Sequence, residues 1–395
     1  MSKPARPTIL IAGGGTGGHV FPAIAVAEAL QRLADVEVVF VGTERGVESR
    51  VVPARGWRLE CLEVQPMKGG GPTRALRGAV VALRATLRAF GIVRRLKPSA
   101  VLSVGGYAAG PATLAAAVLG VPVAVLEPNS TVGLANRLLA PFARCVFLAW
   151  DEAAKGFRAG AVRIYGVPLR AGFSPAAGVA TGPALRVLVM GGSQGAAVLN
   201  ERLPEVFGIL ASRGVTARLV HQAGRDRDAA VRDAYSRAGV EGVEVVPFID
   251  DVARALAEAD LVVARAGAGT IAEITAVGRP SILVPFPHAA DDHQAHNAEA
   301  LARAGAAVCV RQEYADPRRL ADEIERLLGD GLERRAMAVA AGARGRPDAA
   351  RYVARDLLSM ARVGVRETPR LRNGNGAGPL TPSPGGGPHG TGRWN

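Results

Sequence analysis

The run Gly13-Gly14-Gly15-Thr16-Gly17-Gly18-His19 follows the apolar stretch Ile9–Ala12 and leads into a helical pattern from Ala23 to Leu33. Glycines remove side chains, so backbone N–H groups can approach a phosphate, and the helix beyond them directs the positive end of its dipole at the same anion. His19 adds an imidazole at that helix start. A group titrating near neutrality suits general-base work there; a neutral helix cap or a ligand-positioning donor is the other reading. A second strand-turn-helix of this design, Val187–Met190 followed by Gly191-Gly192-Ser193-Gln194-Gly195-Ala196, opens the other half of the chain. Two anion-accepting turns in one polypeptide point to an enzyme that holds its substrates between two domains.

Three further strand exits carry polar chemistry. Glu127-Pro128-Asn129-Ser130 places a carboxylate at a strand end, but the paired carboxylate of glycosidase-type hydrolysis is not evident. Glu127 therefore reads as an orienter or acceptor-binding group as readily as a base. Glu273 stands one turn inside the helix that follows Ala264–Thr270, where it can accept both hydroxyls of a ribose or stabilise the helix start. The segment Asp291-Asp292-His293-Gln294-Ala295-His296-Asn297 is dense in acids and histidines, yet it lacks the H-x-x-x-H arrangement and its two aspartates are adjacent. It reads as a polar ligand-binding turn, with no metal and no cofactor expected. Gly13, Gly15 and Gly18 also satisfy G-x-G-x-x-G, which keeps a dinucleotide domain in view. Against it, the strand ending near Val41 runs into Gly42-Thr43-Glu44, so the acid that would hold a ribose hydroxyl is absent from the strand end or displaced. No G-x-x-x-x-G-K-[ST] run is present, which disfavours an ATP-binding P-loop.

The elements that must position these groups alternate between strand and helix. With 395 residues, 49% hydrophobic and 21% charged, the chain is long enough for two cores. Apolar or β-branched runs at Thr8–Ala12, Val36–Val41, Ala100–Val104, Val121–Leu126, Val146–Leu148 and Val162–Tyr165 make a mostly parallel sheet with crossover helices. Residues 171–184, rich in Gly and Pro and without a periodic apolar face, read as the interdomain linker. The pattern then restarts at Leu185–Met190, Thr216–His221, Val243–Pro247, Leu261–Ala264, Ser281–Pro285 and Ala306–Val310, with helices over Asp316–Leu328 and Leu332–Ala341. The expected fold is α/β, two doubly wound domains with ligands at the C-terminal ends of their strands across an open cleft. Residues 361–395, with 14 Pro or Gly, read as a disordered tail.

A net charge of +13 favours anionic partners: phosphates, acidic lipid headgroups or nucleic acid. Nucleic acid is disfavoured because no base-reading module or repeated aromatic platform accompanies the charge. On a helical wheel Arg74, Arg77, Arg84 and Arg88 fall within about 80° of one another, while Leu76, Val80, Leu83, Leu87 and Phe90 gather elsewhere. Lys68 and Gly69–Gly71 precede this helix. Such a helix lies on an anionic membrane, or else buries its apolar side against a sheet as an ordinary crossover. Cys61, Cys145 and Cys309 sit singly, which fits a reducing compartment. No run reaches 18 uninterrupted apolar residues, so neither a membrane span nor a secretory signal is expected.

Taken in order, these blocks resemble the peptidoglycan glycosyltransferases that add N-acetylglucosamine to undecaprenyl-diphosphate-linked muramyl pentapeptide, converting lipid I into lipid II. The resemblance rests on Gly13 to Ala23, Gly105-Gly106-Tyr107, Glu127-Pro128-Asn129 with Asn136-Arg137, Gly166 to Arg170, Gly191 to Ala196, His221 to Gly224, Phe248 to Asp251, Arg265 to Glu273, and His293-Gln294 through Asn297. It implies the GT-B arrangement: an acceptor-binding and membrane-associating domain over 1–170, a linker over 171–184, and a UDP-sugar domain over 185–360 whose final helix packs back on the first. It also implies that Gly13, Gly14, Gly15, Thr16, Gly17, Gly18, Tyr107, Glu127 and Asn129 serve the lipid-linked acceptor, with His19 as the favoured base. Thr16, Gly18, Asn129, Arg170, Ser193, Gln194, Ile249, Ala268, Gly269, Thr270, Glu273, His293 and Gln294 would serve UDP-N-acetylglucosamine. The implied partners are the two substrates, an anionic membrane surface at the cytoplasmic face of the inner membrane, and cell-wall-synthesis complexes. The chain departs from many relatives at Thr131-Val132-Gly133, where they carry a proline-glycine turn, at Gly269, where some carry a larger apolar residue, and at His293, where some carry Gln.

Overall fold

The computed structural model describes residues 6–64, 72–155, 157–176, 178, 185–192, 195–289 and 292–366, with side chains throughout except at 72–80 and 159. Lys68, Gly69–Gly71, half of the expected linker (177 and 179–184) and residues 367–395 lie outside the described residues, as do the side chains of Arg74, Leu76, Arg77 and Val80.

The first sheet comprises β1 (Thr8–Gly13), β2 (Glu37–Gly42), β3 (Arg58–Cys61), β4 (Ala100–Gly105), β5 (Val123–Glu127), β6 (Cys145–Leu148) and β7 (Val162–Ile164). Its order is β3-β2-β1-β4-β5-β6-β7, with every pairing parallel. The second comprises β8 (Arg186–Met190), β9 (Arg218–Gln222), β10 (Glu244–Val246), β11 (Leu261–Ala264), β12 (Ser281–Leu283) and β13 (Val308–Cys309), in the order β10-β9-β8-β11-β12-β13, also parallel. The central strands are covered on both faces, which is why they read as unbroken apolar runs: Ile9, Leu10 and Ile11 have no exposed surface. Two such sheets opening toward one another are the GT-B arrangement. In each, the strand order reverses beside the first strand, between β1 and β4 and between β8 and β11, and a crevice forms there.

The first-sheet helices are α1 (Gly17–Leu33), α2 (Glu48–Val51), α3 (Pro72–Leu96), α4 (Ala109–Val118) and α5 (Leu134–Leu139). Around the second sheet lie α6 (Ala197–Ser212), α7 (Asp228–Arg237), α8 (Val252–Glu258), α9 (Ala268–Val277), α10 (His293–Arg303), α11 (Pro317–Gly329) and α12 (Gly331–Arg344). The last helix, α13 (Ala349–Met360), returns to the first domain and buries Val353, Ala354, Leu357 and Leu358 in the core that α1 covers. Tyr165, just past β7, donates its hydroxyl to Asp356 at 3.0 Å and ties this returning helix to the edge of the sheet.

Two features differ from the sequence expectation, and a third bears on an alternative it left open. Strand β3 was not anticipated, because a four-residue edge strand with Arg58 and Glu60 on it carries little apolar signal. Helix α1 begins at Gly17, not near Ala23, so the last two glycines of the turn already belong to the first helical turn; glycines and Pro22 conceal it from a propensity reading. In α3 the surface packed in the core is made by Ala85, Ala89, Ile92 and Val93, while Leu83 and Leu87 are 61% and 63% exposed. The leucines thus do not form the sheet-facing side of an ordinary crossover helix.

Candidate active site

The crevice of the first domain is built from glycine. Gly13, Gly14 and Gly15 have φ of 141°, 155° and 89°, three successive values that residues with a Cβ seldom adopt. The turn they make interlocks with the exit of β4: Gly14 donates its N–H to the Gly105 carbonyl at 3.3 Å, and a methyl group at Gly106 would lie 2.4 Å from the Gly14 oxygen. The Gly15 N–H is held by Glu48 at 2.7 Å, and those of His19 and Val20 by the Thr16 carbonyl at 3.2 and 3.1 Å. Among the described residues the N–H groups of Thr16, Gly17 and Gly18 have no protein acceptor, and no side chain caps α1. These three amides are the ones open to an anion.

His19 lies in the first turn of α1, with Nδ1 at 3.3 Å from the Thr16 hydroxyl. Its ring rests on the β4 exit, where a methyl group at Gly105 would come within 3.1 Å of Nε2. Burial lowers its pKa below 6.5, with His293 acting in the same direction, and the Glu127 carboxylate, the Gly14 backbone and Glu48 opposing. The imidazole is therefore neutral at neutral pH and able to take a proton.

Glu127 ends β5 with 1% of its surface exposed. One oxygen accepts the backbone and side-chain N–H groups of Asn129 at 3.0 and 3.1 Å; the other accepts from Gly133 N–H at 2.9 Å and Asn136 Nδ2 at 3.0 Å. Four donors occupy the acceptor capacity of a carboxylate. Glu127 thus shapes the turn into α5 and orients Asn129, with no oxygen left over for a sugar hydroxyl in this conformation. Tyr107 stands at the β4 exit, 54% exposed.

In the second domain the turn after β8 is equally tight. A methyl group at Gly195 would lie 2.2 Å from the Ala223 carbonyl, and one at Gly191 would lie 2.6 Å from the Ala196 nitrogen. Ser193 and Gln194 lie outside the described residues. A buried network beneath supports the turn: Asn200 on α6 donates Nδ2 to the Ala223 carbonyl at 2.8 Å, and its oxygen stands 3.1 Å from His221 Nε2, whose Nδ1 is 2.9 Å from the Tyr235 hydroxyl. The neutral imidazole satisfies both contacts, donating from Nε2 to the Asn200 oxygen and accepting at Nδ1 from the Tyr235 hydroxyl. Burial pushes the His221 pKa down to about 4. Because the folded value lies below the unfolded one, this contributes stability that is complete above about pH 6.5 and lost as pH falls toward the folded value. Denaturant titration of the second domain's transition at pH 8 and pH 5 is expected to differ by about 2 kcal/mol from this source. A His221→Gln variant loses that difference.

Helix α9 starts at Ala268 with Gly267 as an N-cap that offers no side chain, leaving the N–H groups of Ala268, Gly269 and Thr270 open among the described residues. No heavy atom lies within 4 Å of a methyl group built at Gly269, so the protein leaves open space at that position. Ala268 is buried at this entrance, and Ile249 is buried in the core cluster that includes Ala266 and Ile271. Glu273 lies one turn further along; burial raises its pKa to about 7, with Arg170 drawing it back down. Arg170 itself is exposed, its guanidinium 5.9 Å from the centre of the Phe173 ring. His293 begins α10, and Gln294 accepts the Phe286 N–H at 3.0 Å, tying the helix to the exit of β12.

The two crevices meet. Asn297 on α10 accepts from Ser130 N–H at 3.1 Å and from its hydroxyl at 2.8 Å, joining this helix of the second domain to the Glu127 loop of the first across the cleft. His293 reaches His19 electrostatically, and α1 touches α9. The structure therefore gathers the Gly13–Gly18 turn, His19, Glu127, Asn129, His293 and Gln294 on one cleft, with Arg170 beside Glu273. Sequence reasoning missed Glu48, an acid in a polar loop with nothing local to distinguish it from surface acids. Among the described residues no cluster of three or more His, Cys, Asp or Glu side chains is arranged to hold a metal ion.

Residues 9–148 match the glycosyltransferase family 28 N-terminal domain, and residues 186–353 match the family 28 C-terminal domain. The chain is 54% identical over 360 residues to the UDP-N-acetylglucosamine–N-acetylmuramyl-(pentapeptide) pyrophosphoryl-undecaprenol N-acetylglucosamine transferase of Sorangium cellulosum, spanning 90% of this chain and 89% of the relative. It belongs to the family 28 glycosyltransferases. A second family member, the transferase of the same description from Myxococcus xanthus, is 44% identical, with 88% and 91% covered. The crystal structure of Acinetobacter baumannii MurG superimposes with a TM-score of 0.75 at 33% identity, covering 90% of this chain and all of that one. The UDP-GlcNAc 2-epimerase of Neisseria meningitidis, at 12% identity and a TM-score of 0.61, shares the fold. Both family 28 matches include the glycine turns and the crevices built on them.

Proposed function

We propose that this enzyme transfers N-acetylglucosamine from UDP-N-acetylglucosamine to the 4-hydroxyl of the muramyl residue of lipid I, forming lipid II and UDP. The observation that carries this reading is a neutral His19 in the first turn of α1, whose uncapped start is matched by that of α9 on the facing domain, in a chain 54% identical to a transferase of that name. The division of labour we propose is an acceptor and membrane domain over residues 1–170 and a UDP-sugar domain over 185–360. The amides of Thr16, Gly17 and Gly18 receive the lipid diphosphate, with Tyr107 at the rim. His19 takes the proton of the muramyl 4-hydroxyl as its oxygen attacks the anomeric carbon and the bond to UDP breaks. The N–H groups at Ala268, Gly269 and Thr270, the Gly191–Gly195 turn and Arg170 stabilise the charge gathering on the leaving diphosphate. Glu273 accepts the ribose hydroxyls, Ile249 offers backbone groups to uracil, and Asn129, His293 and Gln294 border the sugar. A single displacement inverts the anomeric centre. Incubation with UDP-N-acetylglucosamine and lipid I, followed by mass and linkage analysis, tests the reading: a disaccharide with retained donor configuration, or no transfer, rejects it.

Access to a lipid-held diphosphate explains an otherwise costly surface. Helices α3, α4 and α5 pack on the face of the first sheet opposite α1 and α13, and their outer side exposes Leu83, Leu87, Leu114, Val118, Leu134 and Leu138 beside Arg84, Arg88 and Arg137. Apolar side chains rimmed by cations fit an anionic bilayer surface, each basic group adding about 1 kcal/mol. Among the described residues no helix is long and apolar enough to cross a membrane. The enzyme is thus proposed to sit peripherally at the cytoplasmic face. A Leu83→Asp, Leu87→Asp double variant is expected to lower partitioning onto phosphatidylglycerol vesicles at least about tenfold, since each loses roughly 1.5–3 kcal/mol of apolar burial. Turnover of a short-chain, water-soluble acceptor stays unchanged; equal partitioning in a sedimentation assay would remove the assignment.

A further inference from the structure

Glu48 is 1% exposed and sits directly behind the acceptor turn, at the first position of the four-residue α2. Its Oε2 accepts the Gly15 N–H at 2.7 Å, and its Oε1 accepts both the N–H and the hydroxyl of Thr43, at 2.9 and 2.8 Å. Thr43 Oγ1 in turn accepts the Gly46 N–H at 3.1 Å. The socket is lined with glycine because nothing larger fits. A methyl group at Gly14 would lie 2.3 Å from the carboxyl carbon, one at Gly42 2.5 Å from Cγ, and one at Gly46 2.1 Å from Oε2.

Among the described residues no lysine or arginine forms an ion pair with this carboxylate. A buried charge without a counter-ion is expensive, and it persists only where several donors converge on it. Packing alone would be served more cheaply by an apolar side chain. What the carboxylate supplies is direction: it fixes the Gly15 peptide with its N–H turned inward, toward β2. With Gly14 N–H held by Gly105 and Gly15 N–H held by Glu48, the next three amides, at Thr16, Gly17 and Gly18, are the ones left facing the cleft.

We infer that Glu48 is a positioning residue for the acceptor: through the Gly15 N–H it holds the glycine turn in the conformation that presents the Thr16–Gly18 amides to the lipid diphosphate. The inference rests on the acceptor assignment above, and it separates two roles that an acid near a phosphate site could have. Glu48 does not touch the substrate and, being anionic, would repel it; its effect passes through the backbone. Loop positioning is felt chiefly at the acceptor diphosphate: of the donor only the sugar reaches the first domain, at Asn129 and at the Thr16 and Gly18 positions that the resemblance assigns to it, while uracil, ribose and the donor diphosphate belong to a crevice built from other strands.

Two measurements on the full-length enzyme test it. In hydrogen exchange, a Glu48→Gln variant, which places a donor where an acceptor is needed, is expected to speed exchange of the peptide covering residues 13–18 by about tenfold or more, with core peptides of β1 and β4 unchanged. In steady-state transfer the same variant is expected to raise KM for the lipid acceptor about five- to tenfold while KM for UDP-N-acetylglucosamine stays within about twofold. Thr43→Val, which removes one donor and keeps the shape, moves both readouts in the same direction by less, and serves if the first variant is poorly folded. Unchanged exchange in residues 13–18 overturns the inference, as does an equal rise in both KM values with a matching fall in melting temperature, which is the mark of a merely structural acid. If the wild-type enzyme fails to use lipid I, the functional reading falls, and the exchange experiment still decides whether Glu48 sets the turn.

Discussion

Alanine at His19 is expected to lower kcat for transfer by about 10²–10⁴-fold, the range of a positioned general base, while UDP-N-acetylglucosamine affinity stays within about twofold. The asymmetry follows from where the imidazole sits. It belongs to the first turn of α1, in the first domain, and its hydrogen-bond and packing contacts are Thr16 and the Gly14 and Gly105 backbone, while His293 at the start of α10 reaches it electrostatically. A base acts only as the hydroxyl loses its proton, so removing it costs the transition state and spares the ground-state donor complex. Its pKa lies below 6.5, depressed by burial and by His293 and partly restored by Glu127 and Glu48. Transfer by the native enzyme should therefore be level through neutral pH and fall on the acid side as His19 protonates; in the variant that limb disappears. Steady-state kinetics against pH, with calorimetric titration of the donor, separates the outcomes. A loss of donor affinity equal to the loss of kcat/KM, with saturated turnover unchanged, would make His19 a binding residue.

How far the site could be read from the chain depended on whether its parts are local. The glycine turns were legible because each follows directly on a buried parallel strand, and such strands are continuous apolar runs. Their exits could be placed on one cleft because parallel α/β sheets put ligands at the carboxyl ends of strands. What was not legible is contact across the fold. Gly15 and Glu48 are 33 positions apart and meet only because β1 pairs with β2. Ser130 and Asn297 are separated by 167 and meet only when the two domains face each other. Glu127 could be seen at a strand end, but the turn that wraps Asn129, Gly133 and Asn136 around it depends on the path of the backbone into α5. For α3 the periodicity separated leucines from arginines, yet the side that meets the core carries Ala89, Ile92 and Val93, packed with Ala112, Ala115 and Ala116 of α4, and the buried Ala85. Hydrophobicity alone would have chosen Leu83 and Leu87.

The donor crevice makes a prediction of a different kind, because Glu273 is expected to couple UDP-sugar binding to pH. Burial raises its pKa to about 7, against the pull of Arg170, so near neutrality the unliganded enzyme is a mixture of acid and carboxylate. Two ribose hydroxyls donating to the two oxygens favour the carboxylate, since a protonated acid must commit one oxygen to its own hydrogen. Only the ionised fraction is then competent to bind, and affinity falls by about tenfold between pH 8 and pH 6. UDP-N-acetylglucosamine is the right probe, because its diphosphate diester keeps a constant charge over that range and the enzyme's own titration is isolated. Calorimetry in buffers of different ionisation enthalpy should show proton release on binding at pH 6. Glu273→Gln removes a charged pair of hydrogen bonds worth about 1.5–3 kcal/mol, so donor affinity at pH 8 drops about 10–100-fold and its pH dependence flattens. Turnover at saturating donor falls much less, since ribose lies away from the bond that breaks. Unchanged UDP-sugar affinity in this variant would remove the ribose assignment, and a pH slope that survives the substitution would move the titrating group elsewhere in the crevice.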